Sequence, residues 1–172
     1  MITVKLPYPI SANRYWATRV ITPKGTKRAM AMTYVTPEAK AYKEQVGWIL
    51  KACGVRQAMP GRVQVDIKMY PHRPLDFKKR MKADPMYWDD TVQRLDLDNC
   101  RKVVNDSLKE IAIQDDFYIF KDSGEVMEPD GREACLIVTI QPYVRAENPQ
   151  AALELPPVPK PVFAPVPENL PF

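Results

Sequence analysis

The chain is short of the residues that carry several common chemistries. Its 172 residues include one histidine, His72, and three cysteines, Cys53, Cys100 and Cys135. Because no two cysteines form a CxxC pair, we expect neither a zinc site of Cys and His ligands nor a disulfide framework. A Ser-His-Asp or Cys-His mechanism would have to use His72, which lies in a Pro-His-Arg-Pro stretch poorly suited to that role.

Long apolar runs are also missing. No segment approaches the roughly 20 apolar residues that cross a bilayer, and the first residues, Met1–Lys5, lack the apolar stretch of a signal peptide. We therefore expect a reduced, cytoplasmic protein with no membrane partner. The formal net charge of +4 permits a nucleic-acid partner without requiring one.

Composition divides the chain into two parts. The first part, residues 1–145, has the mixed hydrophobic and charged composition of one globular domain. The second part, residues 146–172, is rich in proline, and eight of the 18 prolines follow Asn148. Such a segment predicts an extended, flexible tail with no packed core.

The hydrophobic periodicity predicts an α+β domain in which a mixed sheet is flanked by two main helices. A hydroxyl and a proline at Thr36-Pro37 begin the first helix, whose inward stripe is Tyr42, Val46, Ile49 and Cys53. The second helix is expected from about Asn99 to Ala112. The predicted strands are near 2–6, 63–70, 118–126 and 134–141. Between them, residues 71–93 form a long polar connection, which is a candidate functional loop.

Two aspartates, Asp96 and Asp98, stand immediately before the second helix. Side chains two residues apart point to the same side of an extended segment. Since neighbouring carboxylates repel each other, a cation often compensates for them, and Mg²⁺ prefers such hard oxygen ligands. The alternative is that Asp98 only caps the helix while Asp96 is a solvated loop acid.

Further charged residues follow at helical spacing. Lys102 and Asp106 lie four and eight residues after Asp98, so all three share one helix face. The pair Asp115-Asp116 comes after the helix, where a return to the sheet could bring it near the first acids. Carboxylates and a lysine at one sheet edge can bind metal, activate water and neutralise a phosphate. Alternatively, the pair is an ordinary turn.

These residues resemble a known family. Asp96-Leu97-Asp98-Asn99, then Lys102, Asp106 and Leu108, then Asp115-Asp116, are similar to the signature of the RusA-like Holliday junction resolvases. The opening segment, residues 6–15, resembles the family's proline-rich stretch ending in Asn-Arg-Tyr. The resemblance covers roughly residues 1–142, and it departs from the family in two places. About 20 residues intervene between Arg73 and Gln93, and the proline-rich tail is extra.

The resemblance implies a homodimeric, Mg²⁺-dependent endonuclease (Mn²⁺ being a possible substitute) that cuts four-way DNA junctions symmetrically. It assigns catalysis and metal binding to Asp96, Asp98 and Asp116, and a catalytic role to Lys102. Supporting roles fall to Asp115, Asp106 and Asn99. Proteins of this family are often encoded by phages and prophages.

Polar and basic residues, mainly in two loops, are the expected contacts to the DNA backbone. The full predicted set is Asn13, Arg14, Lys24, Lys27, Arg28, Lys78, Lys79, Arg80, Lys82 and Arg94. For the run Lys78–Lys82, a solvated charged loop is the alternative. The tryptophans Trp16, Trp48 and Trp88 are expected to be core or loop anchors; the alternative, stacking on a base, suits Trp88 in the long loop best.

Other functions remain open. The chain could be a non-catalytic nucleic-acid-binding or phage assembly module, with its acids serving as caps and surface charge, or a nuclease for flaps and other branched DNA. The end of the tail, Glu168–Phe172, resembles the C-terminal tip of bacterial single-stranded-DNA-binding proteins. That likeness indicates a protein partner.

Overall fold

A four-stranded sheet and two helices packed on it form the domain. The computed structural model describes residues 1–25 and 28–145, so the proline-rich tail and its predicted docking tip lie outside the described residues. The elements, in chain order, are β1 (Ile2–Pro7), α1 (Ala12–Tyr15), β2 (Trp16–Ile21), β3 (Met30–Val35), α2 (Pro37–Ala52), β4 (Val63–Tyr70), α3 (Phe77–Ala83), α4 (Leu97–Leu108), a 3-10 turn (Asp116–Tyr118), β5 (Ile119–Val126) and β6 (Cys135–Pro142).

The sheet has the strand order β1-β6-β4-β5. Strand β6 pairs antiparallel with both β1 and β4, whereas β4 and β5 run parallel. Two parallel neighbours need a crossover connection, because the chain must return to the end of the sheet where it began. The long segment between β4 and β5, which contains α3 and α4, is that crossover.

Alternation along β4 determines which face of the sheet is covered. Val63, Val65, Ile67 and Met69 are all buried, and they join the inward residues of α2 and α4 in one core. The residues between them are polar and lie on the opposite face. There the carboxylate of Asp66 accepts hydrogen bonds from neighbouring side chains. The architecture is therefore two layers, α+β, as the periodicity predicted.

Helix α2 begins as expected but buries a different stripe. The hydroxyl of Thr36 accepts a hydrogen bond from the backbone N–H of Ala39, which makes Thr36 the N-cap. Tyr42 and Val46 are buried as predicted. The inclusion of Cys53 in the stripe was wrong, because the helix ends at Ala52 and the Cys53 side chain is exposed; Leu50 is buried instead.

Helix α4 begins earlier and ends earlier than predicted. It spans Leu97–Leu108, and the N-cap is Asp96, whose carboxylate accepts from the N–H of Asp98 at 3.4 Å. Asp96 and Asp98 are therefore a cap and a first-turn residue, not two positions of an extended segment. After Leu108 the chain turns sharply, with Glu110 at a φ of 67°.

A two-stranded ribbon, β2–β3, was not predicted. Its strands pair antiparallel from Trp16↔Val35 to Ile21↔Met30, and most of its side chains are exposed. Strands without a buried face carry no clear alternation of apolar and polar residues, which is why the pattern did not identify them. Within the described part of the chain, no helix has the length and apolar character needed to cross a membrane.

Candidate active site

The N-terminus of α4 presents two exposed carboxylates. Asp96 caps the helix, and Asp98 lies in the first turn with its side chain 87% exposed. Negative charge is favourable here, because the first backbone N–H groups and the helix dipole are positive. The nearest cation to Asp98 is Arg101, whose Nη1 is 3.9 Å from its Oδ1. That separation leaves the Asp98 carboxylate accessible to a ligand.

The outer face of α4 continues the charged line. Lys102 follows Asp98 by four residues and Asp106 follows Lys102 by four, which corresponds to about 6 Å of helix rise at each step. The opposite face is fully buried through Val103, Val104 and Leu108. Amphipathic packing thus fixes which side chains point away from the core.

The turn before β5 adds a second pair of acids. Asp115 accepts hydrogen bonds from the N–H of Phe117 at 2.9 Å and from Lys109 Nζ at 2.7 Å. The Lys109 ammonium, followed by that backbone N–H, holds the pKa of Asp115 well below its usual range. Lys109 Nζ is also 3.3 Å from Asp116 Oδ1. One lysine therefore keeps both neighbouring acids in place.

The C-terminal half of the charged face of α4 meets Asp116 in a cleft between α4 and the start of β5. This cleft, of about 330 Å³, is lined by Lys102, Asn105, Asp106, Asp116, Ile119 and Asp122. Burial raises the pKa of Asp106, and the nearby Asp116 carboxylate raises it further. Lys102, Asp106 and Asp116 therefore lie at one site, although two separate elements carry them.

The segment ending in Asn-Arg-Tyr reaches the same site. Tyr15 is buried at the end of α1. Its hydroxyl has a raised pKa, because of burial and, to a lesser extent, because of the Asp106 carboxylate. The N-terminal motif and the acidic signature are therefore neighbours in space.

Asp122 was missed by the sequence reasoning, yet it joins β5 to α4. Its Oδ2 accepts from Arg101 Nε and Nη2 at 3.1 and 2.9 Å and from Asn105 Nδ2 at 3.1 Å. One signal could have found it: along β5, Asp122 shares its side of the strand with Gly124, which faces α4. A Cβ at Gly124 would lie 3.1 Å from side-chain atoms of Leu97 and Arg101, so glycine permits this close approach.

Two buried oxygens in this network lack a donor. Asp122 Oδ1 and Asn105 Oδ1 make no hydrogen bond to the described residues. Buried acceptors without partners are rare, because each loses its hydration without compensation. Oxygens of this kind, beside the carboxylates of Asp106 and Asp116, suit a hard cation or a hydrogen-bond donor.

The predicted metal ligands are not gathered around one point. Among residues 1–25 and 28–145, no three Asp, Glu, His or Cys side chains lie close enough to surround an ion. The predicted ligand Asp116 lines the cleft, whereas Asp96 and Asp98 lie at the N-terminal end of α4. In donor chemistry the set still fits Mg²⁺, which commonly takes one or two carboxylates and completes its shell with water and phosphate.

The predicted DNA contacts differ in availability. Asn13, Lys24, Arg28, Lys78, Lys79, Lys82 and Arg94 are exposed, and Lys27 lies outside the described residues. Arg14 is also exposed but pairs with Glu38 at 2.8 Å. Arg80 is committed to Asp76 and Thr91.

Trp88 is an anchor, as expected of the tryptophans, and its candidacy for stacking on a base is ruled out. Its ring is buried, with 4% exposed, and its Nε1 donates to Glu128 Oε1 at 2.9 Å. The expectation of an anchor was wrong for Trp48, whose side chain is 72% exposed.

Replacing Asp122 with Ala should destabilise the domain by about 1–2 kcal/mol, because Arg101 and Asn105 lose their shared acceptor. The matched control is Glu125→Ala on the same strand, whose exposed contact to Lys68 is 4.0 Å long and should contribute less than about 0.5 kcal/mol. Urea unfolding measures both. Equal losses in the two variants would contradict the role given to Asp122.

Asp106→Asn should raise the melting temperature at pH 7. Because the pKa of Asp106 is higher in the folded chain than its unfolded value of about 3.9, ionisation of this carboxyl costs stability as the pH rises through the folded value. At pH 3, below the unfolded pKa, wild type and Asp106→Asn both carry a largely neutral group at this position. The difference between their melting temperatures should therefore become small. Thermal melts at the two pH values test this, with the exposed Asp90→Asn as control. A gap of the same size at both pH values would argue against a charge effect.

Comparison with known proteins places the chain in a family. The family model described as Endodeoxyribonuclease RusA matches residues 7–141, well over half of the 172 residues. No curated protein sequence matches the chain significantly. The matched range contains the N-terminal motif, α4, the 3-10 turn and β5, and therefore every element that forms the cleft. The chain belongs to the RusA endodeoxyribonuclease family.

Proposed function

We propose that this protein is a Mg²⁺-dependent endonuclease that resolves four-way DNA junctions by paired, symmetric cuts, acting as a homodimer. Its family indicates a nuclease that acts on junction DNA. The observation that carries the proposal is the cleft in which Lys102 from α4 faces the acids Asp106 and Asp116. A positively charged side chain beside several carboxylates suits phosphodiester hydrolysis. The carboxylates repel the negatively charged phosphate, and the ammonium group of the lysine offsets that repulsion.

Lys102 is proposed to hold a non-bridging oxygen of the scissile phosphate. It is exposed, and no ion pair within 4 Å occupies it among the residues that the structure describes. Its ammonium is therefore available to a substrate oxygen. In the reaction it would stabilise the negative charge that builds up on that oxygen.

We propose that Asp96, Asp98 and Asp116 bind one or two Mg²⁺ ions, each held by one or two of these carboxylates together with water and phosphate, since the three do not surround a single point. Asp98 and Asp116 have side chains that are 87% and 50% exposed, so both have free oxygens. Bound Mg²⁺ would lower the pKa of a water and offset phosphate charge. Lys109 orients Asp115 and Asp116, while Asp122 and Asn105 anchor α4 beside them. Asn99, Asp106 and Asp115 are proposed as supporting residues.

The wider DNA contacts are proposed for the exposed basic residues of the loop between β2 and β3 and of α3. Phosphate contacts of this kind release counterions from DNA, so the affinity should fall steeply with salt. They fix the position of the duplex without reading its sequence.

Asp98→Asn should abolish cleavage of a synthetic four-way junction while leaving junction binding nearly unchanged, because the variant loses a ligand charge but keeps the fold. Wild type and variant are incubated with the junction, a flap and a linear duplex, in Mg²⁺ or EDTA. We expect cleavage of the junction only, and only with Mg²⁺. The control Asp90→Asn removes an exposed carboxylate elsewhere and should cut like wild type.

Three results would overturn parts of this proposal. Wild-type cleavage by Asp98→Asn would remove Asp98 from the site. Preferred cutting of the flap would change the substrate to another branched DNA. Junction binding without any cutting would leave a non-catalytic binding module.

The dimer can be tested separately. A two-fold assembly places two equivalent sites on two equivalent strands, so sedimentation equilibrium should give twice the 19.7 kDa mass of the chain. A monomeric mass, both free and on the junction, together with paired nicking would refute the symmetric model.

A further inference from the structure

Trp48 is an unusual surface residue. It lies on α2, whose buried face is formed by Tyr42, Val46 and Leu50, and its own side chain is 72% exposed. Large exposed aromatic rings often mark binding sites, because leaving them in water forgoes substantial burial. The Nζ of Lys51 lies 5.6 Å from the centroid of this ring.

A groove of about 510 Å³ runs beside this ring. We call it the α2 groove, and its lining residues include Lys40, Lys43, Gly47, Trp48, Lys51 and Ile111. Gly47 forms the floor, since a Cβ at this position would lie 3.1 Å from Ile111 Cδ1. Glycine inside a helix costs about 1 kcal/mol relative to alanine. The close approach of Ile111 explains why glycine occupies this position. Without a side chain at Gly47, the floor of the groove stays open and is formed by the apolar Ile111.

The walls of the α2 groove are positively charged. Lys40, Lys43 and Lys51 line it together with a single acid, Glu44. None of these lysines forms an ion pair within 4 Å in the part of the chain covered by the structure. Their charges are therefore available to an anionic ligand. An aromatic ring among unpaired lysines matches a nucleic-acid strand, which offers base faces and phosphates at alternating positions.

The α2 groove adjoins the candidate active site. Helices α2 and α4 pack against each other, Lys43 of α2 influences the Asp106 carboxylate of α4 electrostatically, and Ile111 lies three residues after the end of α4. A strand whose phosphate lies at Lys102 could therefore continue past Lys43 into the groove. The set of basic residues predicted from the sequence did not include α2.

We propose that the α2 groove binds the DNA strand adjacent to the scissile phosphate, with its lysines on phosphates and Trp48 stacked on a base exposed at the branch point. This inference rests on the proposed function. It adds a recognition element for branched DNA, because a base inside an intact duplex is stacked and cannot present its face to Trp48.

Binding in EDTA tests the inference without any cleavage. Trp48→Ala should bind a synthetic four-way junction about tenfold more weakly, which is within the range of one base–aromatic stack. Its affinity for a linear duplex of equal length should change less than twofold. Trp48→Phe keeps an aromatic face and should restore most of the junction affinity. Melting temperatures near that of wild type would show that the exposed side chain is not needed for folding.

Charge variants at the same groove should act in opposite directions. Lys51→Ala should weaken binding and lower the salt dependence by about one unit of slope. Glu44→Gln removes the single acid and should tighten junction binding about two- to threefold. Opposite signs from two neighbours on one helix would be hard to explain by altered stability.

The outcomes separate this inference from the proposed function. If wild type binds and cuts the junction while Trp48→Ala binds it equally well, the α2 groove is not a DNA site and the nuclease proposal stands. If Trp48→Ala lowers the mass measured by sedimentation, the groove contacts a second copy of the chain and the inference is wrong. If wild type does not bind the junction, both proposals fail.

Discussion

The parallel pairing of β4 and β5 is the constraint from which the candidate site follows. Two parallel neighbours require a crossover, and here α4 is the crossover helix that returns across the sheet. Its end and the turn that begins β5 are therefore close in space. This geometry brings Asp106 beside Asp116. The contact between Arg101 and Asp122 then holds the helix against the strand.

Electrostatic crowding at this junction works against stability. The pKa of Asp106 is raised by burial and by Asp116, while that of Asp115 is lowered by Lys109. Neighbouring carboxylates whose pKa values are shifted in opposite directions are often found at sites that perform chemistry. Together with the unpartnered buried oxygens of Asn105 and Asp122, they indicate that this region is shaped for a ligand and not for the greatest stability.

Local signals predicted the parts of the fold that depend on local physics. Thr36-Pro37 gave the start of α2, and the alternation in residues 63–70 gave β4, because caps and buried faces leave direct marks on sequence. The ribbon β2–β3 was missed because its exposed side chains carry no pattern. Asp122 was missed for a different reason: its importance comes from Arg101, a partner 21 positions away that only the crossover brings near. Residue type alone made the acids candidates, but it did not predict how they are spread along α4 and the following turn.

The long crossover also accommodates residues 73–93, the segment of about 20 residues that sets the chain apart from the family resemblance, beside the candidate active site. The entropic cost of closing a loop grows only with the logarithm of its length. A longer loop is therefore tolerated when its residues pack against the rest of the domain. In this segment, Trp88 donates a hydrogen bond to Glu128 and Arg73 donates one to the carbonyl of Pro129. The ring of Phe77 lies against both Trp88 and Arg73.

Because Glu128 and Pro129 directly follow β5, this segment is attached to the same strand that carries Asp122. Its exposed lysines on α3, Lys78, Lys79 and Lys82, thus share a support with the cleft. Under the proposed function, the lysines of α3 and those of the α2 groove would give the DNA two separate regions of positive charge. The bound strand would then have a defined direction across the cleft, which is the geometric requirement for cutting at one position.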